Sequence, residues 1–168
     1  MAELEAEIAR LIREYQTKTG KLLTIGTVES ATGGRIADRI TNVPGSSDYF
    51  KGSVVAYSNE AKIALLGVKK TILENYGAVS EQTALEMARG GRKLLNVDIC
   101  VSNTGIAGPS GATPEKPVGL FYLGLATRNE SLSEKHVFQG NREENKRDAA
   151  EAALNMLKQY LLRCVKAK

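Results

Sequence analysis

A single serine, Ser30, stands between an apolar run and two adjacent glycines within residues 24–40. The apolar run ends at this serine, and apolar residues return beyond the glycines with helical spacing. This pattern predicts a strand, a tight corner and a helix. Unpaired amides at a helix start can hold an oxyanion or a phosphate, and Gly33 and Gly34 would let a ligand approach the main chain. The alternative is that Ser30 or Thr32 only caps the helix.

Two familiar explanations for such a corner are excluded by the sequence. The chain contains neither a G-x-x-x-x-G-K-[ST] phosphate loop nor a G-x-S-x-G nucleophile elbow. A serine is a poor nucleophile without an activating base. The one histidine, His136, falls in a predicted hairpin, where packing or surface exposure is its ordinary role. The sequence therefore does not support a Ser-His-Asp triad.

A lysine provides a different candidate base. In the stretch AYSNEAK, Tyr57 ends a predicted strand and Lys62 falls in the first turn of the next helix. The field at a helix N-terminus disfavours a cation and lowers its pKa, and partial burial of the ammonium group adds to this effect. A lysine of lowered pKa can serve as a general base. The alternative is a solvated surface lysine.

Two further stretches could bind an anion. Thr104 and Gly105 leave a predicted buried strand, and the glycine- and proline-rich loop that follows could present its amides as an anion-binding nest. Before the last predicted helix, Arg142, Lys146 and Arg147 could hold a phosphate. The ordinary alternatives are a plain loop in the first case and a solvated basic helix start in the second.

Hydrophobic periodicity predicts the elements that would position these residues. The predicted helices cover 3–19, 34–43, 59–66, 81–95 and 143–165, with a short helical turn near Leu73, and the predicted strands cover 21–28, 49–57, 97–103, 118–127 and 131–138. Strands and helices alternate over the first two thirds, and a hairpin and a closing helix follow. This order predicts one α/β domain over 1–168, with a mixed sheet covered on both faces.

Composition narrows the classes of protein further. The chain has 168 residues, enough for one domain, and 23 Lys and Arg against 19 Asp and Glu, with no basic tract that would indicate nucleic-acid binding. Its two cysteines lack metal-site spacing, which favours a reducing compartment. No apolar window has the length of a signal peptide or a membrane span. We expect a soluble cytoplasmic protein that binds no membrane.

Taken in order, these stretches closely resemble the CinA C-terminal domain family, whose characterised members are nicotinamide mononucleotide amidohydrolases. The resemblance extends from about Leu4 to Leu162. The most specific segments are ESATGG at 29–34, YSN at 57–59 with Lys62, GAVS at 77–80, GIAGP at 105–109 with KPVG at 116–119, and FQGNR at 138–142. Any one of these segments would be weak, but five in the same order make the resemblance specific.

The resemblance implies a Ser-Lys catalytic pair, with Ser30 as nucleophile, Lys62 as base and Tyr57 as a supporting hydroxyl. It implies that Thr104 and Gly105 border the amide and that Arg142 binds the nucleotide phosphate. The full set of expected substrate-binding residues is Thr32, Gly33, Gly34, Thr104, Gly105, Arg142 and Arg147. The resemblance also implies a three-layer α/β/α fold, often assembled as a homodimer, and a reaction that needs no metal or cofactor.

The implied reaction hydrolyses the nicotinamide carboxamide to the acid and ammonia, and would recycle a by-product of NAD-consuming reactions. In this scheme amides at the helix start would stabilise the oxyanion. Two alternatives stay open: a module that binds a nucleotide without turnover, and an accessory protein of competence or DNA damage.

The chain departs from the family pattern at four positions. Ala31 stands where many relatives have cysteine, Ala112 replaces a usual glycine, Asn141 a usual aspartate, and Lys146 a second arginine. The last three affect the loop and the phosphate end, so they bear on substrate affinity more than on the nucleophile.

Overall fold

Five β-strands form one sheet and six α-helices cover it over residues 3–168, which are the residues described by the computed structural model. The strands are β1 (Ile25–Glu29), β2 (Phe50–Val55), β3 (Ile99–Gly105), β4 (Leu120–Ala126) and β5 (Ser131–Val137). The helices are α1 (Leu4–Thr19), α2 (Arg35–Thr41), α3 (Asn59–Leu66), α4 (Lys70–Tyr76), α5 (Glu81–Leu95) and α6 (Arg142–Lys166), and a 3-10 turn covers Ser46–Asp48.

The sheet is mixed, with the strand order β2-β1-β3-β4-β5. The central strand β1 pairs in parallel with β2 and β3, and β4 runs antiparallel to both β3 and β5. The carboxyl ends of β1, β2 and β3 therefore meet at one edge of the sheet. The predicted α/β fold with a mixed sheet is confirmed.

Helices cover the sheet on both faces, which makes three layers. On one face α1 and α2 pack with α6, and their apolar side chains meet those of β1, β3 and β4 in the larger core. On the other face α5 packs across the sheet, with α3 and α4 against it, around a smaller core that includes Val28, Met87 and Cys100. No helix among the described residues has the length and apolar character needed to cross a membrane.

Local signals placed most element boundaries correctly. Ser58 and Ser80 accept backbone hydrogen bonds as the N-caps of α3 and α5, and Gly20 ends α1 with φ 78°. Asn141 begins α6 in a capping box with Glu144.

Most predicted boundaries lie within two residues of the observed ones, and two elements differ by more. The turn expected near Leu73 is the whole helix α4, and the first strand begins at Ile25, four residues later than predicted. The strand starts late because the backbone N–H of Thr24 donates to the side chain of Asp98 at 2.9 Å.

Candidate active site

The site lies in a crevice between the carboxyl ends of β1 and β2. The chain leaves β1 toward α2 on one face of the sheet and leaves β2 toward α3 on the other. Such a divergence opens a crevice at the strand ends, which is where open α/β sheets commonly bind ligands. Ser30 directly follows β1, and Lys62 lies in the first turn of α3.

The structure brings Ser30 and Lys62 into direct contact. Lys62 Nζ donates hydrogen bonds to Ser30 Oγ at 2.9 Å and to the carbonyl oxygens of Ala56 at 3.0 Å and Tyr57 at 3.1 Å. Lys62 is 1% exposed and Ser30 is 7% exposed. Among the described residues, no carboxylate lies within ion-pair distance of this ammonium group.

Burial without a counter-charge changes the basicity of the lysine. Desolvation penalises the charged ammonium form and lowers the pKa of Lys62 to about 8. At pH 7 a pKa near 8 leaves about a tenth of the lysine as the neutral amine. The neutral amine can accept a proton from the Ser30 hydroxyl, which reverses the direction of their hydrogen bond. The alternative of a solvated surface lysine is excluded by this burial.

The corner after Ser30 is occupied by a carboxylate of the protein itself. Gly33 and Gly34 adopt left-handed backbone conformations, with φ of 63° and 104°, and turn the chain into α2. The side chain of Glu29 then accepts hydrogen bonds from the amides of Gly34 at 3.2 Å, Ile36 at 2.9 Å and Ala37 at 2.9 Å. The helix-start amides that were expected to hold an oxyanion are thus already paired.

One amide at this corner stays available. Across residues 31–37, every backbone N–H except that of Ala31 donates to a carbonyl, to Glu29 or to Asn103. Ala31 directly follows the serine, so its N–H is the candidate donor to charge that develops next to Ser30 Oγ.

Thr32 is brought to the corner, but its side chain is directed into the protein. It is 0% exposed, and its hydroxyl donates to Glu29 Oε1 at 2.6 Å while it accepts from Asn103 Nδ2 at 2.6 Å. Its backbone N–H donates to Asn103 Oδ1 at 3.3 Å. The hydroxyl is committed to these two partners, so a direct contact with substrate, expected from the sequence, is not what the geometry favours.

Tyr57 and Arg142 meet at the exposed side of the site. Arg142 donates through Nη2 to the Tyr57 hydroxyl at 3.1 Å and through Nη1 to the carbonyl of Gly108 at 2.8 Å. The Tyr57 hydroxyl therefore contacts Arg142, whereas it is the backbone carbonyl of Tyr57 that contacts Lys62. This arrangement connects the loop after β3, the end of β2 and the start of α6.

Thr104 and Gly105 end β3 beside the crevice, and both have structural partners. The Thr104 hydroxyl donates to the carbonyl of Ala78 at 2.7 Å. A Cβ atom on Gly105 would lie 2.2 Å from the ring of Phe121, so this glycine makes room for an aromatic side chain. The Thr104 hydroxyl and the missing side chain of Gly105 therefore serve local packing, and the backbone of Gly105 is partly exposed.

The second cation at the site is Lys146, whereas Arg147 is directed elsewhere. Lys146 Nζ lies 3.7 Å from the position that a Cβ atom of Gly33 would take. Arg147 is exposed and pairs with its neighbour Asp148 at 3.1 Å. Adjacent positions on a helix point about 100° apart, so the two side chains leave α6 in different directions.

His136 takes no part in this crevice. It lies on the edge strand β5, bonded to Glu134 at 2.9 Å and stacked on Phe138. Within residues 3–168, no group of three or more His, Cys, Asp or Glu side chains is arranged to hold a metal ion.

Sequence reasoning missed two buried residues that shape the site, Glu29 and Asn103. An acidic residue between a strand and a helix start is a recognisable capping signal, and it could have identified Glu29. Asn103 lies 71 positions after Thr32, and no local pattern links the two.

Comparison with known proteins places this geometry in context. The profile of the CinA C-terminal domain matches residues 3–161. A "CinA-like protein" of Kosmotoga olearia is 50% identical over 159 residues, which are 95% of this chain and 37% of that protein. A "putative competence-damage inducible protein" of Thermoanaerobacter sp. strain X514 is 47% identical over 160 residues, again 95% of this chain and 37% of that protein. The chain thus spans less than two fifths of either relative.

A solved structure has the same fold over nearly its whole length. The competence/damage inducible protein CihA from Agrobacterium tumefaciens superposes with a TM-score of 0.85 at 38% identity, covering 94% of each chain.

Proposed function

Because the chain belongs to the CinA C-terminal domain family, we propose that it hydrolyses the carboxamide of nicotinamide mononucleotide to nicotinic acid mononucleotide and ammonia. One observation carries the proposal: a buried lysine, with no carboxylate at ion-pair distance within residues 3–168, contacts the hydroxyl of a serine at 2.9 Å. Such a pair supplies both a nucleophile and its base without a histidine. The resemblance of the ordered motifs supplies the substrate.

The proposed reaction has two halves. In the first, Ser30 Oγ attacks the amide carbon, neutral Lys62 takes the hydroxyl proton, and the Ala31 N–H stabilises the oxyanion. Lys62 returns the proton to the nitrogen, the C–N bond breaks, and ammonia leaves an acyl ester on Ser30. In the second half, Lys62 takes a proton from water as the hydroxide attacks the ester, and it returns that proton to Ser30 Oγ as the acyl C–O bond breaks, which releases the acid product and restores Ser30 and neutral Lys62.

The substrate phosphate would be held by the cations at the start of α6. Arg142 joins the Tyr57 hydroxyl and the Gly108 carbonyl, and it has further N–H groups that can bind a phosphate. Lys146, next to Gly33, provides the second positive charge. In this proposal Gly33 and Gly34 leave the substrate access to the main chain, and Tyr57 positions Arg142.

Ammonia release tests the proposal directly. The purified protein is incubated with nicotinamide mononucleotide, and ammonia and nicotinic acid mononucleotide are measured for the parent, Ser30→Ala and Lys62→Ala. We expect turnover by the parent and a loss of about 10³-fold or more in each variant. If the parent binds nicotinamide mononucleotide but does not turn it over, the protein is instead the nucleotide-binding module. An active Ser30→Ala variant would refute the assignment of the nucleophile.

We also propose a cytoplasmic homodimer, an arrangement that the family resemblance supports. Sedimentation equilibrium distinguishes the monomer mass of 18.1 kDa from a species of twice that mass. A single 18.1 kDa species at micromolar concentration would refute the dimer.

A further inference from the structure

Directly before Ser30, a fully buried carboxylate lacks any cationic partner among the described residues. Glu29 is 0% exposed, and it accepts hydrogen bonds from the Thr32 hydroxyl and from three backbone amides at the start of α2, those of Gly34, Ile36 and Ala37. Weaker contacts join its Oε2 to Thr27 Oγ1 at 3.3 Å and Ser53 Oγ at 3.4 Å. A buried carboxylate that lacks a cation is tolerated only when donors surround it, as they do here.

One of these donors, Thr32, connects the Glu29 carboxylate to Asn103 on strand β3. Thr32 contacts Glu29 through its hydroxyl and Asn103 on β3 through both its hydroxyl and its backbone N–H. Asn103 is itself 0% exposed. Hydrogen bonds of Thr32 therefore hold the loop of residues 30–34 to Glu29 at the end of β1 on one side and to Asn103 of β3 on the other.

The network also determines which donors remain for a ligand. The carboxylate of Glu29 offsets the positive end of the α2 dipole and pairs with the amides that would otherwise bind an anion. An anionic group of a substrate therefore gains nothing at the start of α2. Among the amides of residues 31–37, the N–H of Ala31, which directly follows Ser30, is the one without an acceptor.

We infer that Glu29 is a positioning residue, which acts through Thr32 and Asn103 to hold Ser30 Oγ against Lys62 and to keep the Ala31 N–H free for the oxyanion. This inference rests on the proposed Ser-Lys chemistry. Its specific claim is that the network contributes to the rate of attack by Ser30 and not to the affinity for substrate or to the basicity of Lys62.

Thr32 offers the most discriminating variants. Thr32→Val removes the hydroxyl and keeps the shape, whereas Thr32→Ser keeps the hydroxyl. Glu29→Gln tests the carboxylate itself, because an amide NH2 would meet N–H donors at α2. Asp98→Asn is the matched control: Asp98 also accepts a backbone N–H, from Thr24 at 2.9 Å, at the opposite end of β1.

Covalent labelling measures the nucleophile without reference to the substrate. A fluorophosphonate is added to the full chain of each variant, the site of labelling is verified as Ser30 by mass spectrometry, and the rate constant is determined. We expect Thr32→Val and Glu29→Gln to react about 10-fold to 100-fold more slowly than the parent. Thr32→Ser and Asp98→Asn should react at close to the parental rate. The pH midpoint of labelling should be the same in all of them.

Steady-state kinetics with nicotinamide mononucleotide should show the same pattern as the labelling rates. In Thr32→Val and Glu29→Gln we expect kcat to fall by a similar factor and KM to change by less than about threefold. Parental labelling rates in both Thr32→Val and Glu29→Gln would overturn the inference alone. A slow rate in Thr32→Ser, or an equally slow rate in Asp98→Asn, would overturn it as well, since the loss would then follow general destabilisation. If the parent is not labelled at Ser30, the proposed function is overturned and this inference with it.

Discussion

At the scale of single residues, the proposed chemistry depends on the basicity of the Lys62 amine. Burial lowers the pKa of Lys62 to about 8, and the neutral form is the base. We therefore expect kcat/KM to fall on the acid side with a midpoint near pH 8, by about tenfold per pH unit below it. Lys62→Arg should be inactive at every pH, because a guanidinium stays protonated. A parent whose rate is flat from pH 6 to 9 would contradict the role of a neutral lysine.

The same amine should make stability depend on pH. In the unfolded chain a lysine has a pKa of about 10.4, so between about pH 8 and 10.4 the unfolded state binds more protons than the folded state. The free energy of unfolding of the parent, compared with that of Lys62→Met, should therefore rise with pH across this window, by about 2 to 3 kcal/mol. Urea denaturation at pH 7 and pH 10.5 measures it. Parallel pH dependences in the two proteins would contradict the lowered pKa.

Two neighbouring cations on α6 provide a matched pair for substrate binding. Lys146 faces Gly33 at the site, and Arg147 pairs with Asp148 in solvent. Lys146→Ala should raise KM for nicotinamide mononucleotide about tenfold, the effect of losing one charged contact to a phosphate, whereas Arg147→Ala should leave it unchanged. An increase of KM in Arg147→Ala but not in Lys146→Ala would support the substrate-binding role that the sequence predicted for Arg147.

At the scale of elements, local patterns predicted nearly every helix and strand. Ser58, Ser80 and Gly20 are sharp boundary signals, because each satisfies backbone groups that a helix leaves unpaired. The weak prediction was α4, whose seven residues include no buried side chain. A helix without a buried stripe leaves no periodic pattern to detect.

The contact between α5 and α3 tests how the catalytic lysine is positioned. A Cβ atom on Gly90 of α5 would lie 1.8 Å from the carbonyl oxygen of Leu66, at the end of the helix that carries Lys62. Helix propensity alone would make Gly90→Ala stabilising by about 1 kcal/mol. We expect the reverse, a loss of about 2 kcal/mol or more with reduced activity, because α3 must move.

Lys93→Ala, on an exposed position of the same helix, is the control for Gly90→Ala and should change little. Chemical denaturation of both variants, with ammonia release at saturating substrate, makes the comparison. A Gly90→Ala protein as stable as the parent would show that α3 and α5 are not in close contact.

At the scale of the whole molecule, the two thiols report on the integrity of the core. Cys100 is 0% exposed on β3, where burial raises its pKa to about 12, and Cys164 is partly exposed near the end of α6. In the native protein at neutral pH we expect a disulfide reagent to label Cys164 readily and Cys100 only as fast as the protein unfolds. In a Cys164→Ala variant, the labelling rate of Cys100 should match the unfolding rate measured by fluorescence or circular dichroism. Rapid labelling of Cys100 in native buffer would contradict a closed core.

The sequence by itself determined the class of fold and the chemical types at the site. Alternating strands and helices, capping residues and the ordered motifs are local features, and local features can be detected along a chain. They sufficed to predict a mixed sheet covered on both faces and to single out Ser30 and Lys62.

The tertiary structure alone decided what those residues meet. Lys62 reaches Ser30 across 32 positions, and its pKa falls because the fold buries its ammonium group. Glu29 takes the helix-start amides that a ligand was expected to use, and Asn103 closes the corner from another strand. Distance, burial and competition for hydrogen bonds depend on which elements pack together, and that information is absent from any single stretch of the chain.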